Sequence, residues 1–442
     1  MTAAVILCRI LSFFGKLIGR GSSMPGAIVL KIFPNVLGKI KFDGKVIAVS
    51  GSNGKTSTTE LIANILSGEG KTVLWNKEGS NQTEGVATLL LNGCTLGGRI
   101  RADFVVIESD ERYARLTFSH FTPDYFVITN LFRDQMTRNG HSEWVHGLLR
   151  KAISEKTVLI LNADEPLSAS YGNADTVYYS IDENRYSTKE HAGVYNDGAV
   201  CPLCKGKMEY GYFNVGHLGA YRCRECGFGG LGERAKYRIT DIDLEKGRAL
   251  FDGKYEVSLA FGGLYNTYNL LAAYSVCAEC GISPENAASH ISDYVLSGGR
   301  IKTFVYGGRE AMLLISKHEN SVSYNSTVDY IVRSGGDCDV LIMVNSISRK
   351  YYTCDTSWLW DIDFGRLKSG NIGKIVLCGR YCYDLQMRFL LLGFDNIEII
   401  ENPDEAVRRV PAKGKKTFFV TCFADRARLA AALEKSEGRK VL

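Results

Sequence analysis

The sequence predicts an α/β protein with a central domain built on a parallel sheet and a phosphate-binding loop, an inserted four-cysteine ribbon, and a smaller α/β C-terminal domain. Three observations lead to this fold. From Lys45 onward, short apolar runs alternate with segments of helical length, two C-x-x-C pairs interrupt that series, and a second alternating series begins after residue 300. Such alternation is typical of βαβ units with parallel strands.

The length and composition of the chain indicate how many domains it has. A chain of 442 residues, 45% hydrophobic and 23% charged, is typical of a globular enzyme of two principal domains. We expect a helical segment at residues 1–45, a central domain at 46–300 with the ribbon inserted at about 197–232, and a C-terminal domain at 301–442. The net charge of +5 is too small for a nucleic-acid footprint, and 13 scattered cysteines favour a reducing, cytoplasmic compartment.

The N-terminal segment is apolar from Val5 to Ile18, apart from Arg9 and Lys16. Its large apolar residues recur at helical spacing, and the run is shorter than a membrane span. We therefore expect a helix docked on the body of the protein. The alternative is a basic amphipathic helix that rests on the inner face of the plasma membrane.

Eight apolar runs predict buried strands. Four fall in the central domain and four in the C-terminal domain: Val46–Val49, Phe104–Ile107, Phe126–Thr129 and Val158–Leu161, then Ala311–Ile315, Val340–Val344, Lys374–Cys378 and Thr417–Val420. Runs of this kind without alternation indicate strands covered on both faces of a parallel sheet. Functional loops should follow the carboxyl ends of these strands.

The first central strand runs into a glycine-rich turn and then a helix-forming segment. The turn and the start of the helix read Gly51, Ser52, Asn53, Gly54, Lys55, Thr56 and Ser57. Backbone N–H groups and the helix N-terminus of such a turn bind phosphate, Lys55 neutralises it, and Thr56 can bind Mg²⁺. The spacing G-x-x-G-K-T is shorter than the general phosphate-binding consensus, but the strand before it and the helix after it favour a nucleotide site over an ordinary turn.

An acidic loop follows the next strand and begins with Glu108. A magnesium ion beside a nucleotide needs only one or two protein oxygens, because phosphate and water complete its octahedron. Glu108 is therefore the magnesium candidate together with Thr56. Asp110 and Glu111, in the same loop, fit a solvated acidic loop better.

Two cysteine pairs form a metal signature: Cys201 and Cys204, then Cys223 and Cys226. C-x-x-C knuckles at this separation, each followed by glycine, can place four thiolates around Zn²⁺ and leave no open position, so the zinc would be structural. The further C-x-x-C pair, Cys277 and Cys280, lies on an apolar helical run and is interpreted as core.

Four ordered motifs resemble the Mur ligase superfamily. They are the turn Gly51–Thr56, Thr129-Asn130 with Asp134, Asn162 to Pro166, and Tyr265 to Asn269. The resemblance implies ATP and Mg²⁺ as ligands, Asn266 and Asn269 near the nucleotide, and Arg300 at the junction with the C-terminal domain. The stretch from Asp134 to Gly140 lacks the histidines of the peptide-building Mur enzymes, and too few residues precede the turn for their UDP-substrate domain.

The ribbon and the string Asp355 to Asp361, which is similar to D-x-S-W-x-W-D, narrow the resemblance to the MurT-type ligase subunits of lipid II isoglutaminyl synthase. In that family the first aspartate of the string completes the Cys-His pair of a separate GatD-type glutaminase, so Asp355 would be catalytic across a heterodimer interface. By itself Asp355 suits an N-cap. The K-N-P stretch of the family is replaced by Lys317-His318-Glu319, with a longer segment after it.

The resemblance implies ATP-dependent amidation of D-isoglutamate in the lipid II stem peptide through an acyl phosphate, with Lys55, Glu108 and Asp355 as catalytic residues. Ammonia would come from the glutaminase partner. Two alternatives remain open: an amino-acid ligase similar to folylpolyglutamate synthetase, and a P-loop ATPase whose ribbon binds nucleic acid. The ribbon and the Asp355 string count against the first, and the absence of a basic stripe counts against the second.

Overall fold

The structure is a computed structural model that describes residues 1–17, 19, 21–259, 263–294, 301–334, 336–347, 355–369, 371–410 and 416–440. Within these ranges the chain forms two compact units. The first contains Met1–Phe132, His141–Ala192 and Asn196–Val295, and the second contains Arg133–Gly140, Gly193–Tyr195 and Leu296–Leu442.

The first unit holds nine α-helices among its described residues. They are α1 (Thr2–Leu17), α2 (Met24–Ile32), α3 (Lys55–Gly68), α4 (Thr83–Gly93), α5 (Ala114–Thr117), α7 (Ser142–Arg150), α8 (Pro166–Ala169), α9 (Leu264–Glu279) and α10 (Pro284–Ser292), with α6 (Met136–Asn139) assigned to the second unit. Helices α3 and α9 pack against each other beside the central sheet.

The strands of the first unit form one large sheet, a hairpin and a short parallel pair. They are β1 (Lys41–Phe42), β2 (Lys45–Ser50), β3 (Val73–Trp75), β4 (Arg99–Ile100), β5 (Phe104–Glu108), β6 (Tyr125–Ile128), β7 (Val158–Asn162), β8 (Val177–Ile181), β9 (Met208–Val215), β10 (Leu218–Cys223), β11 (Tyr237–Asp243), β12 (Arg248–Phe251) and β13 (Tyr255–Ser258). The large sheet has the order β13-β12-β11-β8-β7-β6-β2-β5-β3, and its members from β11 to β3 are parallel.

Central strands of this sheet are buried because helices cover both of its faces. All five residues of β5 and five of the six residues of β2 are buried. The four strands expected in the central domain are confirmed as β2, β5, β6 and β7, with ends that differ by at most one residue. The sequence did not predict the antiparallel extension through β12 and β13, whose side chains are only partly buried.

The second unit is a six-stranded sheet covered by helices. Its elements are β14 (Ile301–Tyr306), β15 (Arg309–Ser316), α11 (Ser321–Arg333), β16 (Cys338–Met343), β17 (Ile372–Cys378), α12 (Cys382–Leu391), β18 (Ile397–Ile400), α13 (Pro403–Arg409), β19 (Lys416–Cys422) and α14 (Arg426–Glu437). The strand order is β14-β15-β19-β16-β17-β18, and β14 alone is antiparallel to its neighbour. The four strands predicted here are confirmed.

Helix α1 is docked, as expected, but by the opposite face. Its fully buried contacts with the core come from Ala4, Val5 and Cys8, and Leu7 and Leu11 pack against the same cluster. The large apolar residues that were expected to make the docking contacts are instead exposed: Ile6, Ile10, Phe13, Phe14 and Leu17. No helix in the described part of the chain is both long and apolar enough to cross a bilayer.

Candidate functional site

The phosphate-binding loop connects the end of β2 to the start of α3. Gly51 has φ of 131° and Gly54 has φ of 86°, conformations that favour glycine. A Cβ at Gly54 would collide with the side chain of Asn269, and one at Gly51 would collide with Thr129. The loop therefore combines tight turns with a close approach from two other elements, and it leads directly into the N-terminal end of a 14-residue helix.

Residues after β6 hold this loop in place. Asn53 N–H donates to Asn130 Oδ1 at 3.1 Å, and Ser52 N–H donates to the Asn130 carbonyl at 2.9 Å. Asn130 Nδ2 in turn donates to the hydroxyl of Tyr265, on α9, at 2.7 Å. Three of the sequence motifs, from the loop, the end of β6 and α9, thus meet at one edge of the sheet.

Asn269 and Asn266 occupy different positions relative to the loop. Asn269 is buried against Gly54, and its Oδ1 has no hydrogen-bond partner among the described residues. This orphaned polar atom beside a backbone cradle fits a site that receives a polar ligand such as a nucleotide. Asn266 is half-buried on the first turn of α9, where its N–H donates to the Gly263 carbonyl. Arg300 lies outside the described residues.

Lys55 is paired with an acid that was not the expected one. Its Nζ lies 3.0 Å from Glu111 Oε2 and also donates to the Gly51 carbonyl. The Lys55 and Glu111 side chains are 10% and 2% exposed, so the pair is shielded from water. The interpretation of Asp110 and Glu111 as a solvated acidic loop is therefore wrong. Asp110 is also buried and forms an ion pair with Arg112.

Glu108 is held by two asparagines from the loop after β3. Asn81 Nδ2 donates to Glu108 Oε1 at 2.8 Å, while the side-chain amide of Asn76 accepts from Glu108 N–H at 2.8 Å and donates to the Glu108 carbonyl at 3.0 Å. Thr56 follows Lys55 on the first turn of α3 and is exposed. A carboxylate at the strand end and a hydroxyl on the adjacent helix are the oxygen ligands that magnesium beside a nucleotide requires, so these residues fit the ion.

The four cysteines converge as the spacing predicted. The Sγ atoms of Cys201, Cys204, Cys223 and Cys226 all lie within 4.8 Å of one another. Cys201 and Cys226 are 3.7 Å apart and Cys204 and Cys223 are 3.4 Å apart, close to the roughly 3.8 Å that tetrahedral Zn–S bonds of about 2.3 Å require. The geometry can hold a metal ion.

Tight turns shape both knuckles of the ribbon. Cys201 N–H donates to the Gly206 carbonyl at 2.8 Å, and Cys223 N–H donates to the Phe228 carbonyl at 2.7 Å. Gly227, with φ of 72°, closes the second turn, while Lys205 takes a positive φ in the first. By contrast Cys277 is fully buried on α9, as expected for a core residue.

Asp164 and Glu165 join the ribbon hairpin to the central sheet. Glu165 is buried and accepts from Leu131 N–H at 3.2 Å, and its Oε1 lies 3.3 Å from Nε2 of His217, in the turn between β9 and β10. Although burial opposes it, hydrogen bonds from His217 and from backbone N–H groups hold the pKa of Glu165 below its usual value. Burial raises the pKa of the Asp164 carboxyl to about 6, against hydrogen bonds from Ile181 N–H, Ser180 and Tyr268.

Asp134 lies in the second unit, in a buried polar cluster. Its carboxylate forms an ion pair with Lys317 and accepts from Asn320 Nδ2 at 2.9 Å. Glu319, which has φ of 48°, accepts from Gln135 N–H and from the Thr137 hydroxyl. The two stretches that depart from the family pattern therefore contact each other.

Asp355 is exposed at the start of a 3₁₀ turn, Ser357–Asp361. Its Oδ1 accepts from Ser357 N–H at 2.9 Å. The two tryptophans of the string differ in exposure: Trp358 is buried against Tyr324, whereas Trp360 is 40% exposed. The string thus anchors itself through Trp358 and presents Asp355 on the surface of the second unit.

Comparison with known proteins supports these motifs over most of the chain. The Mur ligase middle domain matches residues 49–224, and the MurT ligase C-terminal domain matches residues 318–424. The MurT subunit of lipid II isoglutaminyl synthase (glutamine-hydrolyzing) from Staphylococcus aureus is 31% identical over 409 residues, which cover 90% of this chain and 89% of that protein. The chain belongs to the MurT family. The MurT subunit of the same enzyme from Streptococcus pneumoniae is 29% identical over 406 residues, which cover 90% of this chain and 89% of that protein.

Solved structures place the MurT-family chain in the Mur ligase fold. A pseudomurein peptide ligase type C from Methanothermus fervidus superposes with a TM-score of 0.70 at 22% identity, covering 91% of this chain and 81% of that one. MurF from Acinetobacter baumannii superposes with a TM-score of 0.63 at 18% identity, covering 91% of this chain and 78% of that one. The α/β fold predicted from the motifs is confirmed.

Proposed function

We propose that this protein is the ligase subunit of a lipid II isoglutaminyl synthase, which converts the α-carboxylate of D-isoglutamate in the stem peptide to the amide. The observation that carries the proposal is the glycine loop at the end of β2, with Lys55, Glu108 and Asn269 gathered around it, in a chain of the MurT family. These residues supply a phosphate cradle, a cation and an oxygen ligand at one sheet edge.

The reaction has two steps. A carboxylate oxygen of the substrate attacks the γ-phosphorus of ATP, ADP leaves, and an acyl phosphate forms. Ammonia then attacks the acyl carbon, phosphate leaves, and loss of a proton gives the amide. The turn from Gly51 to Thr56 would bind the phosphates through the main-chain N–H groups at the start of α3, while Asn130 holds those of Ser52 and Asn53, and Lys55 Nζ would stabilise the charge that spreads over the transferred phosphoryl oxygens. Magnesium held by Thr56 and Glu108 would neutralise the β- and γ-phosphates.

We further propose that the cysteine ribbon binds one structural Zn²⁺ through Cys201, Cys204, Cys223 and Cys226. A closed four-thiolate set leaves no position for substrate. The ribbon also contacts the sheet through His217 and Glu165 rather than standing free. A structural role is therefore favoured over nucleic-acid binding.

Ammonia would come from a partner subunit, a GatD-type glutaminase bound as a heterodimer. Asp355 is exposed at a turn where Ser357 N–H donates to its Oδ1, a position that suits a residue that orients a histidine in another chain. The pair would work in the cytoplasm, at the inner face of the plasma membrane where the lipid-linked substrate lies.

The test uses the chain purified with its glutaminase partner, ATP, Mg²⁺ and lipid II. Wild type should amidate the substrate with either glutamine or ammonium chloride. Asp355→Ala should lose the glutamine-driven reaction and keep the ammonium-driven one, whereas Asp395→Ala, an exposed acid in the same unit, should keep both. Addition of a whole amino acid in place of ammonia would show an amino-acid ligase and refute the proposal.

A further inference from the structure

Helix α1 carries an exposed apolar stripe. Ile6, Ile10, Phe13, Phe14 and Leu17 are 45%, 50%, 66%, 60% and 73% exposed. Their spacing along the helix places them on one face. Contiguous apolar surface of this kind is uncommon on a globular protein unless it binds something. The exposed stripe therefore indicates a surface that binds a partner.

The remainder of α1 is fixed to the first unit. Asn92 Nδ2, on α4, donates to Ser12 Oγ at 2.8 Å, and the Arg9 guanidinium donates to the Cys94 carbonyl at 2.6 Å. Ala4, Val5 and Cys8 are fully buried in the core. Because these contacts set the rotation of the helix, the apolar stripe is held outward.

The charged residues of the chain segment that carries the stripe are all basic. The first acidic residue of the chain is Asp43, and six lysines and arginines precede it. Lys16 is exposed roughly a quarter turn from the stripe by helical geometry, and Lys31, Lys39 and Lys41 are also exposed. An apolar helix face flanked by cations is complementary to an anionic lipid surface, where the apolar residues enter the acyl boundary and the cations meet headgroup phosphates.

We infer that α1 is a membrane-interface element: it lies parallel to an anionic bilayer with Ile6, Ile10, Phe13, Phe14 and Leu17 inserted below the headgroups. The inference rests on the surface chemistry of α1 alone, so it holds whatever reaction the chain catalyses. It also explains why a helix too short to span a membrane has large apolar residues on the side that faces away from the core.

The experiment is co-sedimentation of the full chain with two kinds of vesicle. One is neutral phosphatidylcholine, and the other contains about one-third anionic phosphatidylglycerol. Wild type should bind the anionic vesicles, and added salt should weaken the binding. The double variant Phe13→Ser/Phe14→Ser should bind at least about tenfold more weakly, because two inserted rings are lost. Lys16→Glu should also weaken binding to anionic vesicles, with little effect on neutral ones.

The matched control is Leu390→Ser/Leu391→Ser, which removes two residues of 49% and 65% exposure from α12 in the second unit. It should bind vesicles as wild type does, and unchanged thermal melting should show that both double variants fold. Equal binding by the phenylalanine variant, or equal binding to neutral and anionic vesicles, would overturn the inference. So would lipid-independent dimerisation that the phenylalanine variant abolishes, which would identify a second copy as the occupant.

Discussion

The phosphate-binding loop and the four-cysteine ribbon lie in the same unit, yet they collect their ligand groups in different ways. The ribbon takes four identical atoms from one hairpin segment, and all four Sγ atoms lie within 4.8 Å of one another. The loop draws on residues from β2, from the ends of β5 and β6, and from α9, and its polar groups hold one another in place. One site is closed and local, and the other is open and assembled from distant segments.

This difference has a consequence for how each site fails. Loss of one thiol leaves three ligands and an open position, so the ribbon should lose its metal as a unit. Loss of one group at the loop leaves the other hydrogen bonds in place, so folding should survive while phosphoryl transfer is impaired. The following experiments separate these two kinds of failure.

Replacement of Lys55 should have the largest effect on activity. Lys55→Ala removes the cation that faces the transferred phosphoryl group, and we expect a loss of about 10²–10³-fold in kcat in a chain that still folds but melts at a lower temperature, because Glu111 loses its buried partner. Steady-state kinetics with ammonium as nitrogen donor measures this. Lys71→Ala, an exposed lysine just beyond α3, is the control and should retain wild-type rates. Wild-type activity in Lys55→Ala would remove the loop from the mechanism.

Replacement of one ribbon cysteine should affect metal content instead. Cys201→Ser removes the most buried of the four thiols, and zinc should fall from one per chain to none, a loss greater than the roughly 10–100-fold of an outer-shell change. Metal analysis and limited proteolysis within residues 197–232 check it. Cys280→Ser, in the pair on α9, should keep its zinc. A zinc-free wild type would refute the metal assignment.

The contrast also explains which parts could be predicted from sequence. The cysteine cluster depends on two short spacings and one hairpin, so local pattern was enough to find all four residues. The buried strands were found for the same reason, since parallel strands covered on both faces are continuous apolar runs. The face by which α1 docks was missed because both faces of that helix are apolar.

The partners of the loop could be predicted only in part. Glu111 pairs with Lys55 across 56 residues of sequence, and no spacing rule distinguishes it from Glu108 in the same loop. Asn76 and Asn81 were not predicted, although two asparagines shortly after a strand are a sequence signal for polar contacts at the end of that strand. The contact between the Asp134 and Glu319 stretches depends on tertiary packing, which a single sequence does not encode in any local pattern.

The free energy of unfolding should depend on pH through Asp164, which lies where the ribbon hairpin meets the central sheet. The native carboxyl of Asp164 has a pKa of about 6, above the unfolded value of 3.8, so between these values the folded state binds more protons. Its contribution to stability is therefore full below about pH 4 and lost as the pH rises through 6, an amplitude of roughly 3 kcal/mol. Denaturant unfolding of wild type and Asp164→Asn between pH 4 and 7 measures the difference. A pH-independent difference would show that Asp164 titrates normally.

The two acids near the loop offer the finest distinction, because each has a different proposed task. Glu108→Gln weakens an oxygen ligand, so the Mg²⁺ concentration for half-maximal rate should rise. Glu111→Gln removes the buried partner of Lys55 and should cost about 2 kcal/mol, roughly 30-fold in kcat/KM, with no change in Mg²⁺ dependence. Glu78→Gln, an exposed acid in the loop after β3, should alter neither quantity. If Glu111→Gln raised the Mg²⁺ requirement more than Glu108→Gln did, Glu111 rather than Glu108 would be the metal ligand, because loss of a ligand weakens ion binding more than loss of an outer-shell group, whereas a partner of Lys55 changes the rate at saturating magnesium.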